Sequence, residues 1–137
     1  GFANSNLCII NSRNNQTRGH EIAHILVTYG ASPIKTTRLI NEGVATYFDQ
    51  TSRDRMQVAR EALGGKELHI VDLWENPKNY PDEYNYTIGA ALIAYLLEKG
   101  NEQQLRSLLK EQTVTSARNI YQDFDSLIAD FTAMLKQ

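Results

Sequence analysis

His20, Glu21 and His24 form the pattern His-Glu-x-x-His within Arg18-Gly19-His20-Glu21-Ile22-Ala23-His24-Ile25-Leu26. On a helix, His20 and His24 lie one turn apart on one face, the spacing at which two imidazoles can hold one ion. Glu21 cannot point the same way, but it can border the ion's open position, where a carboxylate would take a proton from bound water. Neutral imidazoles suit zinc, and a hydrolytic zinc site takes three protein ligands and leaves a fourth position for water. The expected third ligand is Glu42, in Leu39-Ile40-Asn41-Glu42-Gly43-Val44-Ala45-Thr46-Tyr47-Phe48, separated from His24 by seventeen residues. Two imidazoles, one carboxylate and a dication would leave a net charge of about +1, which helps a bound water ionise near neutral pH.

Two antiparallel helices could bring these side chains to one point. Thr17 can cap the first, which is expected over roughly 18–29 with Ile22, Ala23, Leu26 and Val27 inward. Tyr29-Gly30-Ala31-Ser32-Pro33 ends it and lets the chain turn back. Thr37 starts the second, whose Leu39, Ile40, Val44 and Phe48 can face a core while Glu42 faces the metal. Gly43 weakens a helix interior by about 1 kcal/mol relative to Ala, so its place beside Glu42 implies close approach to another backbone. Thr46, one turn beyond Glu42, could hydrogen-bond a ligating histidine or simply pack.

These motifs resemble those of the gluzincin metallopeptidases, whose His-Glu-x-x-His is followed by a glutamate ligand on a later helix. Asn41-Glu42-Gly43-Val44-Ala45-Thr46-Tyr47-Phe48 is similar to Asn-Glu-Gly-Phe-Ala-Ser-Tyr-Phe of the aminopeptidase N clan, and more so to the peptidase MA-like domains of bacteria. The spacing is one residue shorter than in aminopeptidase N relatives, which favours the MA-like branch. The resemblance implies a zincin-like fold: mainly α, or α+β if complete, with an active-site helix, a helical C-terminal subdomain and one or few N-terminal strands. It also implies zinc bound by His20, His24 and Glu42, with Glu21 as general base and a peptide or protein as substrate. Tyr86-Thr87-Ile88-Gly89-Ala90 resembles Tyr-Glu-Lys-Gly-Ala of the same clan, which makes Tyr86 the candidate oxyanion donor, with Tyr84 its nearest competitor. His69 could serve similarly, as a distal histidine does in thermolysin-like enzymes, but its context does not match that motif and an ordinary histidine is expected. The amine-anchoring Gly-x-Met-Glu-Asn segment of aminopeptidase N relatives has no counterpart in Gly1-Phe2-Ala3-Asn4-Ser5, which favours an endopeptidase. Many MA-like relatives are envelope or secreted proteins, so the resemblance leans toward an extracytoplasmic site.

Other His-Glu-x-x-His families fit worse. Metzincins want Gly and His where Val27 and Gly30 stand, and peptide deformylases need a cysteine ligand in a setting that Leu7-Cys8-Ile9 does not provide. The alternative of another class is a non-catalytic module that holds a peptide or glycan on a peptidase scaffold. Retention of Glu21 argues against it, whereas a cleft lacking its upper sheet would orient substrate poorly.

At 137 residues, with 42% hydrophobic and 22% charged, the chain is expected to form one globular domain. A formal charge of -2 offers neither a basic stripe for nucleic acid nor a polybasic patch for an anionic membrane. No apolar stretch approaches about twenty residues and no signal-peptide pattern opens the sequence, so neither a membrane span nor an export signal is expected. Cys8, the one cysteine, excludes an internal disulfide and, with apolar neighbours on both sides in the sequence, is expected to be a buried strand residue.

Leu7 to Ser12 reads as a short strand, either plainly packed or the edge that an extended substrate would pair with. With so little strand visible, the chain is expected to be the helical part of a larger fold. Downstream, Arg53 to Leu63 reads as a helix with Asp54, Arg55, Arg60 and Glu61 outward, stopped by Gly64-Gly65. Lys66 to Asn76 is a connection with a short helical turn, Tyr84 to Lys99 a strongly apolar helix, and Glu102 to Lys110 a helix capped by Asn101. Thr113 to Gln122 reads as a polar connection with room for a short turn. Asp123 or Asp125 can cap a final helix bearing Leu127, Ile128, Phe131, Met134 and Leu135 on one side.

Overall fold

A computed structural model of the chain describes residues 35–48 and 54–137. Their elements are α1 (Arg38–Tyr47), α2 (Arg55–Leu63), α3 (Ile70–Glu75), a 3-10 turn (Pro77–Asn79), α4 (Glu83–Lys99), α5 (Glu102–Lys110), α6 (Val114–Ile120) and α7 (Phe124–Leu135). The mainly α class expected from the sequence is observed, with no strand among the described residues. The strand expected at Leu7 to Ser12, with Cys8, and the helix expected at about 18–29 lie outside the described residues.

The long helix α4 is the hub, and its composition explains why. Ile88, Ala90, Ala91, Leu92, Ile93, Tyr95 and Leu96 point in several directions around the axis and are all buried, so the helix must be covered on more than one side. Each buried leucine or isoleucine contributes roughly 1.5–3 kcal/mol relative to exposure. α1 and α2 supply the main cover, with α5 near its C-terminal end. Trp74 and Phe124 meet edge to face at 5.9 Å, and Tyr95 lies 5.4 Å from Phe131, which ties α3 and α4 to α7.

α1 buries Leu39, Ile40, Gly43, Val44 and Ala45. Phe48, expected on the same core face, instead follows the last helical residue; it is 48% exposed and stands edge-on to Tyr47 at 5.1 Å. Thr37 is the N-cap, as expected, but its hydroxyl makes no capping bond. The N-cap residue is instead held by the buried side chain of Gln112: Oε1 accepts from the Thr37 N–H at 3.0 Å while Nε2 donates to the Leu109 carbonyl at 3.2 Å. The Gln112 backbone N–H donates to Lys35 O at 2.9 Å, and its carbonyl accepts from Trp74 Nε1 at 2.8 Å. The start of α1 is thus fixed from the segment after α5, satisfying donors that a helix N-terminus leaves open.

α2 begins at Arg55 rather than Arg53, because the Asp54 carboxylate accepts from the N–H groups of Met56 and Gln57 at 3.0 and 3.3 Å. Two of its expected outward charges are occupied structurally. The Arg55 guanidinium lies 4.6 Å over the Tyr47 ring and donates to the Tyr47 carbonyl, and Arg60 Nε donates to Met134 O at 2.8 Å. Gly64 stops the helix at φ 61°, a left-handed cap that glycine takes without a Cβ penalty. Asn101 caps α5 through a reciprocal box with Gln104.

The expected polar connection at Thr113 to Gln122 is instead the seven-residue helix α6. Thr113 caps it by accepting from Ser116 N at 3.1 Å; Val114 and Ala117 are buried and Ile120 packs partly buried against the core, a short apolar face among mostly polar residues. α7 buries Phe124, Ile128, Phe131 and Leu135, with Leu127 and Met134 at the margin. Asp123 precedes it without a side-chain cap bond, and Asp125 pairs with Arg118 at 3.3 Å.

Candidate functional site

Glu42 sits in the middle of α1, and its side chain is only 13% exposed. A carboxylate so far withdrawn from water needs a compensating charge. Part of it comes from Arg38 one turn earlier, whose Nη1 is 3.6 Å from Glu42 Oε1. Thr46, one turn later on the same edge, has a buried hydroxyl with no hydrogen-bond partner among the described residues.

The same arginine reaches across to α4. Arg38 Nε donates to Asp82 Oδ1 at 2.8 Å and Nη2 to Asp82 Oδ2 at 3.0 Å, a two-pronged pairing that fixes the plane of the guanidinium. Nη2 also donates to the Tyr86 hydroxyl oxygen at 3.2 Å, with the guanidinium carbon 5.6 Å from the ring centroid. The hydrogen bonds from Arg38 hold the Asp82 carboxyl below the usual carboxylate range, and the same contact pushes the Arg38 guanidinium further up. Buried Asn85 supports Asp82 from its other side, donating to the Asp82 carbonyl at 3.2 Å and to Oδ1 at 3.3 Å. One guanidinium therefore faces Asp82, Tyr86 and Glu42.

Backbone contact keeps the two helices in this register. A β-carbon on Gly43 would lie 2.6 Å from the Gly89 carbonyl carbon, and one on Gly89 would lie 2.7 Å from the Leu39 carbonyl oxygen. Glu42 adjoins the first glycine and Tyr86 stands one turn before the second. The close backbone approach expected from Gly43 is found, and the backbone it meets is that of the Tyr86-Thr87-Ile88-Gly89-Ala90 segment.

His20, Glu21 and His24 lie outside the described residues. Among the described residues no three His, Cys, Asp or Glu side chains gather to hold a metal, and Glu42 is the one member of the expected ligand set that is described. A carboxylate is one of the donor types that zinc accepts, and Glu42 supplies one that is largely withdrawn from solvent. Of the tyrosines considered, Tyr84 is buried and packs against Tyr80 at 6.3 Å, whereas Tyr86 joins the Arg38 cluster. His69 is an exposed residue that precedes α3 and makes no side-chain cap bond there.

Sequence reasoning missed Arg38 and Asp82. Arg38 carried a signal, since it stands four residues before Glu42 and shares its helix edge. Asp82 stands just before α4, and its carboxylate serves Arg38 and makes no cap bond to that helix. Comparison of the chain with protein-family models, curated proteins and solved structures finds no match in any of the three.

Proposed function

We propose that the chain is a zinc-dependent peptidase, with an endopeptidase favoured, in which His20, His24 and Glu42 bind the ion. The observation that carries this reading is the placement of Glu42 and Tyr86 about a single guanidinium, a largely buried carboxylate on one side and a phenol on the other. Zinc, when bound, supplies a positive charge that lowers the pKa of water and polarises a peptide carbonyl. Glu21 takes the proton of the attacking water and passes it to the leaving amine nitrogen. Tyr86 donates its phenol hydrogen to the carbonyl oxygen as that oxygen becomes negative. Arg38 is a pure donor, so Tyr86 is the acceptor in their contact.

The resemblance of both motif segments to gluzincin peptidases supports the assignment, and no helix among the described residues is long and apolar enough to cross a membrane. Atomic spectroscopy on the purified chain is expected to find about one zinc per molecule, and a mixed peptide library to be cut in a chelator-sensitive way. Glu21→Gln should keep the zinc and lose hydrolysis. An active Glu21→Gln would remove the base from this scheme. Zinc without cleavage in the wild type would turn the reading toward a peptide- or glycan-holding module.

A further inference from the structure

The Arg38 cluster holds more than a surface ion pair needs. Nε and Nη2 are both committed to Asp82, at 2.8 and 3.0 Å, so the guanidinium plane cannot rotate about its long stem. From that fixed plane Nη2 meets the Tyr86 hydroxyl at 3.2 Å and Nη1 faces Glu42 at 3.6 Å. Asn85 holds Asp82, and the contact of Gly43 with Gly89 keeps α1 and α4 from sliding. Arg38 thus bridges the carboxylate on α1 and the phenol on α4.

We infer that Arg38 is a positioning residue: clamped by Asp82, its guanidinium sets the Tyr86 hydroxyl against the Glu42 carboxylate, so that oxyanion donor and metal ligand keep one geometry. This rests on the peptidase reading. A half-exposed ion pair adds little to stability, so its removal leaves the fold in place and the site can be read directly. Lysine keeps the charge but has a single nitrogen, which cannot serve Asp82 and Tyr86 with the fork's geometry.

The test uses the full chain as wild type, Arg38→Lys, Arg38→Met, Tyr86→Phe and the Arg38→Met/Tyr86→Phe double variant, assayed on peptides from the mixed library that the wild type cuts. Zinc content by atomic spectroscopy should be the same in all. Arg38→Met should lower kcat on the order of 10-fold with KM little changed, and Arg38→Lys should recover only part of it. The double variant should be no slower than Tyr86→Phe alone, because both changes disable the same donor. Wild-type kcat in Arg38→Met, or losses that multiply in the double variant, would overturn the inference while leaving the peptidase reading intact. A wild type without zinc or cleavage would instead sink that reading, and the catalytic role of Arg38 with it. A nitrogen-15 NMR spectrum of the zinc-free chain gives a readout apart from activity: the Arg38 Nε–H signal should be displaced by Tyr86→Phe and lose its protection from water in Asp82→Asn. A signal indifferent to both changes would overturn the cluster itself.

Discussion

Gly43 and Gly89 bring the backbones of α1 and α4 into direct contact: a β-carbon built on Gly89 would stand 3.0 Å from the Gly43 α-carbon and 2.7 Å from the Leu39 carbonyl oxygen. Small residues at a helix crossing let the axes approach more closely than side chains would permit. Here each glycine lies beside a candidate functional residue, Glu42 on one helix and Tyr86 on the other. The crossing therefore sets how far the carboxylate can be from the phenol.

Gly43→Ala should consequently destabilise the protein although alanine is the better helix former. The propensity gain is about 1 kcal/mol, whereas forcing a methyl group against a carbonyl carbon 2.6 Å away requires the helices to separate. Overpacking of this kind costs roughly 1–3 kcal/mol and occasionally more. Because the overlap is with backbone, which cannot swing aside, the cost lies at the upper end, and about 3 kcal/mol less about 1 leaves a net loss of about 2 kcal/mol in thermal or urea unfolding. A variant as stable as the wild type would show that the crossing is looser than described.

Glu42→Ala tests the ligand set. Changing a residue that merely supports a ligand costs on the order of 10–100-fold in metal affinity, so loss of a ligand should cost about 100-fold or more. Competition against a chromogenic chelator would measure it. Zinc affinity unchanged in Glu42→Ala would exclude Glu42 from the first coordination sphere.

The fold and the candidate site were legible in the sequence to different depths, for physical reasons. Helices with a continuous apolar face or a glycine stop, α1, α2, α4 and α7, could be placed within a residue or two, because period and punctuation act locally. α6 could not: a seven-residue helix whose apolar positions are Val114, Ala117 and Ile120 is too short for a period to stand out from its polar surroundings. Gly43 announced a backbone contact without naming its partner, since propensity says that a glycine costs stability and not what it touches. The Arg38–Asp82 pairing joins residues 44 apart along the chain, and no local rule connects them. The same is true of Gln112, which anchors Thr37 from 75 residues away.

On the acid side, Asp72 gives a signed prediction. It accepts from the Tyr80 hydroxyl at 2.6 Å and from Asn76 Nδ2 at 2.9 Å, and these bonds, Tyr80's first, hold its carboxyl below the ordinary range of about 4. A depressed folded pKa means that its stabilising contribution is present above the unfolded value and is lost as pH falls through the folded one. Melting temperatures of wild type and Asp72→Asn should thus differ near pH 6 and converge as the pH falls below the ordinary carboxylate value of about 4 and through the lowered folded one. A gap that stays constant across that range would remove ionised Asp72 as its cause.

On the alkaline side the informative group is Tyr121. Its side chain is 3% exposed, its ring packs against Gly100, and its hydroxyl has no hydrogen-bond partner among the described residues. Burial pushes the phenol up to about 12, above the ordinary value of about 10. The sign is opposite to that of Asp72: stability is complete below the unfolded pKa and is lost as pH rises through the folded one. Tyr80, through its bond to Asp72, and Tyr95, through burial, are shifted the same way, so the wild type sums three contributions on this limb. Tyr121→Phe isolates one of them. It also deletes a buried hydroxyl whose desolvation is uncompensated, a cost of roughly 1–3 kcal/mol, against which the lost methyl-sized volume is small. The variant should be about 1 kcal/mol more stable than the wild type at pH 7, with the difference widening between pH 10 and pH 12 in urea unfolding. A less stable variant at neutral pH would mean that the hydroxyl has a partner after all, and that its desolvation is compensated.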